Sequence, residues 1–161
     1  MTTTQTQARI EADERVPMIH IYREFAATPA QLFRAHTDPQ LFARWVGPAD
    51  IGADIDYWDA RDGGSWRYTA GREDFQTAFR GCFHTVTENR IVQTFTWEGM
   101  PEGVALETLT FEDLGNGRTR LHATSLCDSF EARDGWLVSG METGVADGYA
   151  ALDRMLEAGE L

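Results

Sequence analysis

Between Ala53 and Cys127 the chain is a succession of extended segments separated by turns of only a few residues. Parallel strands need crossover connections of a dozen residues or more, so neighbours this close in sequence can pair only as an antiparallel meander. The predicted segments are Ala53–Trp58, Ser65–Ala70, Phe75–Thr87, Ile91–Glu98, Val104–Asp113 and Arg118–Cys127. Gly63-Gly64, Asn89-Arg90 and Gly115-Asn116-Gly117 supply reversals. The last is the strongest turn signal, because glycine and asparagine accept the positive φ of a tight hairpin.

A further strand is expected before these, at Met18–Phe25, where Ile19, Ile21 and Arg23 alternate with His20, Tyr22 and Glu24. Thr28-Pro29 and Asp38-Pro39 each place an N-cap residue before a proline at the first helical position. They predict one short helix carrying Leu32, Phe33 and Ala35 inward, and a second carrying Leu41, Phe42 and Trp45 that stops before Gly47-Pro48. The segment Asp134–Ala158 has helical period, with Leu137, Met141, Val145, Gly148, Leu152 and Met155 on one stripe. A helix of about 25 residues spans ~37 Å, roughly the width of such a sheet. The expected fold class is α+β: a curved antiparallel sheet of about seven strands around a long C-terminal helix.

A chain of 161 residues is about one domain's worth and can bury its own core. Residues 17–161 are expected to form that single domain. Residues 1–16, rich in threonine and glutamine and then in charge, read as a flexible tail. They lack the apolar core of an export signal, so a cytoplasmic location is expected. No apolar run approaches the ~18 residues of a membrane span. The net charge of -12 argues against nucleic acid and against anionic membranes as partners. Cys82 and Cys127 have no ligand-spaced histidine or cysteine and read as reduced thiols. Of the histidines, no two share a helical face, and His84 and His122 are expected to face solvent on their strands, so no metal site is expected. There is no Gly-x-Ser-x-Gly elbow, phosphate loop or dinucleotide fingerprint, and no cofactor is implied.

Several stretches together resemble a known group. They are Pro29-Ala30-Gln31-Leu32-Phe33-Arg34-Ala35, Phe42-Ala43-Arg44-Trp45-Val46-Gly47-Pro48 and Gly63-Gly64-Ser65-Trp66-Arg67-Tyr68. Arg90-Ile91-Val92 runs into Thr94-Phe95-Thr96-Trp97, followed by Glu107-Thr108-Leu109-Thr110-Phe111-Glu112 and Gly117-Arg118-Thr119-Arg120-Leu121. Ser139-Gly140-Met141-Glu142 and Tyr149-Ala150-Ala151-Leu152-Asp153 complete the set. From about Ile19 to Leu156 the chain resembles the SRPBCC (START and birch-pollen-allergen-like) superfamily. Within it, the chain is similar to the family named for homology to the activator of the heat-shock protein 90 ATPase. The resemblance implies a helix-grip fold with a cavity between sheet and helix. It specifies fold rather than activity. The co-chaperone proper carries a second domain, for which a chain of this length is expected to leave no room.

Alternation identifies the residues that would line such a cavity. Ile91, Gln93, Phe95 and Trp97 share one face of their strand, as do Ala105, Glu107, Leu109 and Phe111, and as do Trp66 and Tyr68. Thr119, Leu121 and Ala123 share a fourth face. Together with Trp45 from the second short helix and Met141, Gly144, Val145 and Gly148 from the long helix, these make an aromatic wall with a few polar groups, the composition of a small-molecule site. Glu107, with Gln93 beside it in that wall, is the sharpest candidate for acid-base work, set against the reading that it is hydrated near the strand end or pairs with Arg118 or Arg120. Arg44 reads as a surface residue. Gly140, Gly144 and Gly148 recur every four residues, which suggests close approach of sheet aromatics, of a ligand or of a second chain in a homodimer.

Three functions follow as expectations. The first is binding of a small hydrophobic or aromatic molecule. The second is a cyclase/aromatase-like enzyme with acid-base assistance from Glu107, Tyr68 or Tyr149. The third is a stress-related protein with a chaperone partner. Binding without catalysis is preferred.

Overall fold

A computed structural model describes residues 7–46, 52–72 and 74–161. Its strands are β1 (Arg9–Ala12), β2 (Met18–Phe25), β3 (Ala53–Trp58), β4 (Ser65–Arg72), β5 (Phe75–Thr87), β6 (Arg90–Trp97), β7 (Ala105–Gly115) and β8 (Arg118–Leu126). Helices α1 (Pro29–Thr37) and α2 (Pro39–Val46) follow β2, and α3 (Phe130–Leu137) and α4 (Met141–Glu157) close the chain. The eight strands form one antiparallel sheet in the order β1-β2-β8-β7-β6-β5-β4-β3. From β3 to β8 it is the meander that the short turns demand. The helical link α1–α2 lets the chain leave β2 on one side and re-enter at the far edge as β3.

The two short helices begin where their proline signals place them. Thr28 caps α1 with a full capping box: its hydroxyl accepts from the Gln31 backbone N–H, and Gln31 Oε1 accepts from the Thr28 N–H at 2.8 Å. The Asp38 side chain accepts from the Gln40 N–H at 2.9 Å at the start of α2. The expected stop at Gly47-Pro48 lies outside the described residues. At the β7–β8 hairpin, Gly115, Asn116 and Gly117 all take positive φ, as their tight turn requires.

Two expectations are corrected. The segment read as part of a flexible tail contains β1, which extends the sheet from Arg9 opposite Tyr22 to Ala12 opposite Ile19, so the sheet has eight strands rather than about seven. The Arg9 guanidinium lies 4.4 Å from the centre of the Tyr22 ring, a cation–π contact on the strand's solvent side. The expected single C-terminal helix is two. Gly140 has φ 91, a left-handed conformation that a right-handed helix cannot pass through, and it separates α3 from α4. The interruption from Val138 to Gly140 is close to one helical turn, so the apolar stripe keeps nearly the same phase across it. Periodicity therefore conceals the break.

Helix α4 is seated by two contacts. Gly148 lies against Trp45, where an added Cβ would stand 3.2 Å from the Trp45 carbonyl oxygen. Arg23, 4% exposed on β2, donates through Nη1 and Nη2 to the two carboxylate oxygens of Asp153 on α4, at 3.0 and 2.5 Å. Its Nη1 also reaches the Glu24 carbonyl, and its guanidinium stacks 4.5 Å from the Phe25 ring. Leu32, Leu121 and Leu152 are wholly buried around this junction. Removing the carboxylate would leave a guanidinium buried without its counter-charge. Asp153→Ala should therefore cost ~3 kcal/mol or more in urea-induced unfolding, whereas truncating the exposed Arg61–Asp59 pair should cost ~1 kcal/mol or less.

Candidate functional site

The strand registers bring the expected wall residues onto one face. Ile21, Ala123, Leu109 and Ile91 stand side by side across β2, β8, β7 and β6. The next row is Ile19, Ser125, Glu107, Gln93 and Phe83. Phe95 lies opposite Ala105, Trp97 opposite Phe79, and Phe79 in turn opposite Tyr68. Aromatic rings continue along this face: Trp66 stacks on Tyr68 with centroids 5.6 Å apart, Tyr68 meets Phe79, Phe79 meets Phe95, and Phe95 meets the edge of Trp136 from α3 at 6.0 Å. Gly81 makes room for this belt, since a Cβ there would lie 2.6 Å from the Trp66 ring.

Burial on this face is uneven. Phe25, Leu121, Phe111, Ile91, Phe83, Trp66 and Tyr68 are sealed. Inside that ring, Ile21, Ala123, Ser125, Leu109, Glu107, Gln93 and Phe95 are only half-buried, although they point toward the helices. On α4, Met141 and Val145 are half-buried as well. These half-buried residues form an inward-facing patch bordered by fully buried ones.

Glu107 sits in the middle of that patch. Gln93, its cross-strand neighbour, donates through Nε2 to Glu107 Oε1 at 3.0 Å. Burial raises the carboxyl to about 7, against a smaller downward pull from the Gln93 hydrogen bond. Arg118 and Arg120, the alternative partners, reach across the opposite side of the sheet to Glu24 instead. The phenols of Tyr68 and Tyr149 are both raised, chiefly by burial and then by the negative charge of Glu107, so both stay neutral donors at physiological pH. Trp66 Nε1 is a buried donor with no acceptor among the described residues. By contrast, Trp45 and Trp58 donate to the Ala35 and Thr37 carbonyls at the end of α1.

The remaining expected site residues divide. Trp45 and Gly148 pack together between α2 and α4, as part of the core. Trp97 stands at the rim, 37% exposed, its Nε1 donating to Thr77 Oγ1 at 2.5 Å. Gly144 is corrected: it is exposed, with nothing within 4 Å of where its Cβ would stand, so no close approach demands a glycine there. Gly140 serves the helix break, and only Gly148 of the three packs tightly. Arg44 is exposed and ion-paired with Glu160.

Several groups escaped sequence reading. Trp136, Phe79 and Ser125 join the wall through register and through the α3–α4 break. His36, in α1, is buried beside Trp45 and Phe111, and its imidazole falls to about 4 because burial disfavours the cation. His122 is corrected from solvent-exposed to half-buried: its ring stacks on Tyr22 at 4.4 Å and its Nε2 lies 3.0 Å from His20 Nδ1, while His20 Nε2 lies 3.0 Å from Asp13. That chain joins residues 102 positions apart, on the opposite side of the sheet from Glu107.

A sheet closed over by a C-terminal helix, with a half-open aromatic patch and one carboxyl between them, defines a helix-grip protein of the SRPBCC type. The family model "Activator of Hsp90 ATPase homolog 1-like protein" matches residues 26–157, and the chain belongs to that family. Among solved structures, a Rhodobacter sphaeroides protein is 27% identical, with 93% of this chain and 98% of that one covered and a TM-score of 0.80. Protein Ms6760 from Mycobacterium smegmatis is 22% identical over 92% of this chain and 95% of its own, with a TM-score of 0.83. DynU16, from the dynemicin biosynthetic locus, is 22% identical over 89% of this chain and 48% of its own, with a TM-score of 0.68. No curated protein matches the chain in sequence.

Glu107 and His36 pull stability in opposite directions as pH changes. The folded carboxyl of Glu107 is raised from 4.5, so its contribution is complete below about pH 4.5 and is lost as pH rises through about 7. The folded imidazole of His36 is lowered from 6.5, so its contribution is complete above about pH 6.5 and is lost as pH falls through about 4. Glu107→Gln should remove the first effect alone. Its stability relative to the parent should therefore drop by up to about 3 kcal/mol between pH 8 and pH 4.5, measured by urea unfolding at each pH. A constant difference across that range would show that Glu107 titrates normally.

Proposed function

We propose that this protein binds a small hydrophobic or aromatic molecule between the concave face of the sheet and α4. The observation that carries the reading is the half-open patch from Ile21 to Phe95, enclosed on its sides by buried residues and lined by Leu109, Val145 and the Trp66–Tyr68–Phe79–Phe95 belt. Burying apolar ligand surface there would contribute roughly 25 cal/mol per Å². The unpartnered Trp66 Nε1 and the Gln93–Glu107 pair supply the few polar groups that orient a ligand in an otherwise apolar site. The family's name supplies no such role. No helix among the described residues is long and apolar enough to cross a membrane, which agrees with a cytoplasmic binding protein.

A second reading is a cyclase/aromatase-like enzyme. It is favoured by one specific feature, a carboxyl near 7 at the centre of an apolar site, where a group can both accept and return a proton at neutral pH.

The neutral fluorescent probe N-phenyl-1-naphthylamine tests the binding reading directly. Its emission should rise on mixing with the protein, and at 100 times its dissociation constant it should add ~2.7 kcal/mol of stability. Leu109→Trp, which fills the patch from its floor, should keep the fold by circular dichroism yet lose the probe. Equal binding to both proteins, or none to the parent, would reject the site.

A further inference from the structure

Resting on that binding reading, we infer that the ligand is an organic amine, held with its ammonium against Glu107 and its apolar or aromatic body along the Trp66–Phe95 belt. The inference starts from the charges that face the patch. Glu107 is the carboxylate at its centre, and its Oε1 accepts from Gln93. Two arginines on the elements around this face already have carboxylate partners, although Arg23 Nε has no hydrogen-bond partner among the described residues. Arg23 on β2 is neutralised by Asp153, and Arg133 on α3 is spent on Asp134 and on the carbonyls of Asp13 and Met18. A carboxylate or phosphate ligand would therefore meet a negative charge at the centre of the patch, with both of these guanidinia already neutralised by carboxylates. The chain has no lysine; all fourteen of its basic residues are arginines.

The surroundings favour a cation in two further ways. Aromatic faces attract a desolvated ammonium through their quadrupoles, and half-buried Phe95, two residues along β6 from Gln93, has such a ring, with Trp66 and Tyr68 stacked behind it in the belt. The net charge of -12 raises the local concentration of cations and lowers that of anions around the whole molecule.

The titration of Glu107 makes the inference measurable. The groups that sense its charge are Tyr68 from β4, Tyr149 from α4 and Cys127 after β8; burial raises all three, and they stay neutral. Gln93 from β6 carries no charge, and Arg133 acts on Cys127 rather than on Glu107. With its carboxyl near 7, Glu107 holds a proton at pH 6 in the free protein. An ammonium entering the site stabilises the carboxylate, and that proton passes to the buffer.

Three probes of one shape separate the possibilities: 1-naphthylmethylamine, 1-naphthalenemethanol and 1-naphthoic acid, followed by titration calorimetry with the full chain. At pH 8 the amine should bind about tenfold or more tightly than the alcohol, and the acid weakest. At pH 6 amine binding should release close to one proton, read from the heat in buffers of different ionisation enthalpy, while the alcohol releases none. Glu107→Gln should bring amine and alcohol to within about threefold of each other and abolish the proton release. An alcohol bound as tightly as the amine at pH 8, or an advantage that survives Glu107→Gln, overturns the amine inference and leaves the binding site standing. Failure of all three probes, together with N-phenyl-1-naphthylamine, rejects the site itself.

Discussion

The architecture turns on one buried ion pair. Arg23 projects from the concave side of β2 into the interior, where a guanidinium without a counter-charge would be severely destabilising. Asp153 on α4 answers it with both oxygens, and Phe25 and Tyr149 pack their rings around the pair. A bidentate pair of this kind fixes orientation as well as proximity. It pins the C-terminal half of α4 to the β2 side of the sheet. Gly148, seated on Trp45, fixes the same helix against α2.

Those two anchors lie toward one end of α4. Leu152, between them, and Met155, just beyond, are buried, whereas Met141 and Val145, nearer the Gly140 break, are only half-buried. The helix is thus most deeply buried toward its C-terminal half, and Val145 nearer the break packs against the core only partly buried. The near-neutral carboxyl of Glu107 follows from burial, which disfavours its charged form and outweighs the smaller downward pull of the Gln93 hydrogen bond. His36 lies on the sealed side and is shifted the opposite way by the same desolvation, because its charged form is the protonated one. The two shifts show how one low-polarity interior treats an acid and a base.

The opposite side of the sheet has its own polar organisation. Arg67 binds Glu98 and Asp56, Glu24 gathers Arg118 and Arg120, and the Asp13–His20–His122 chain ties the segment after β1 to β2 and β8. Tyr22 stacks on His122 and underlies Arg9. The Arg9–Tyr22 contact and the Asp13–His20 link hold an edge strand of only four residues against β2.

Local chemistry was legible in the sequence wherever it acts over a few residues. Proline after threonine or aspartate marked the two short helices, Gly115-Asn116-Gly117 marked the hairpin, and strict alternation put Gln93, Phe95, Glu107, Leu109 and Phe111 on the faces they occupy. Contacts between distant segments were not legible. Alternation says that Arg23 and Ile21 share a face with Ile19, but not that Asp153 waits opposite one of them. Helical period carried the apolar stripe through Gly140, because a break of nearly one turn preserves its phase. Whether Gly144 or Gly148 meets a neighbour depends on how far α4 stands from Trp45, a distance set by packing between elements. The fold followed from short-range rules of turn and period. The half-buried patch, and the raised carboxyl within it, were decided only by how the helices pack on the sheet, since burial is a property of the assembled chain.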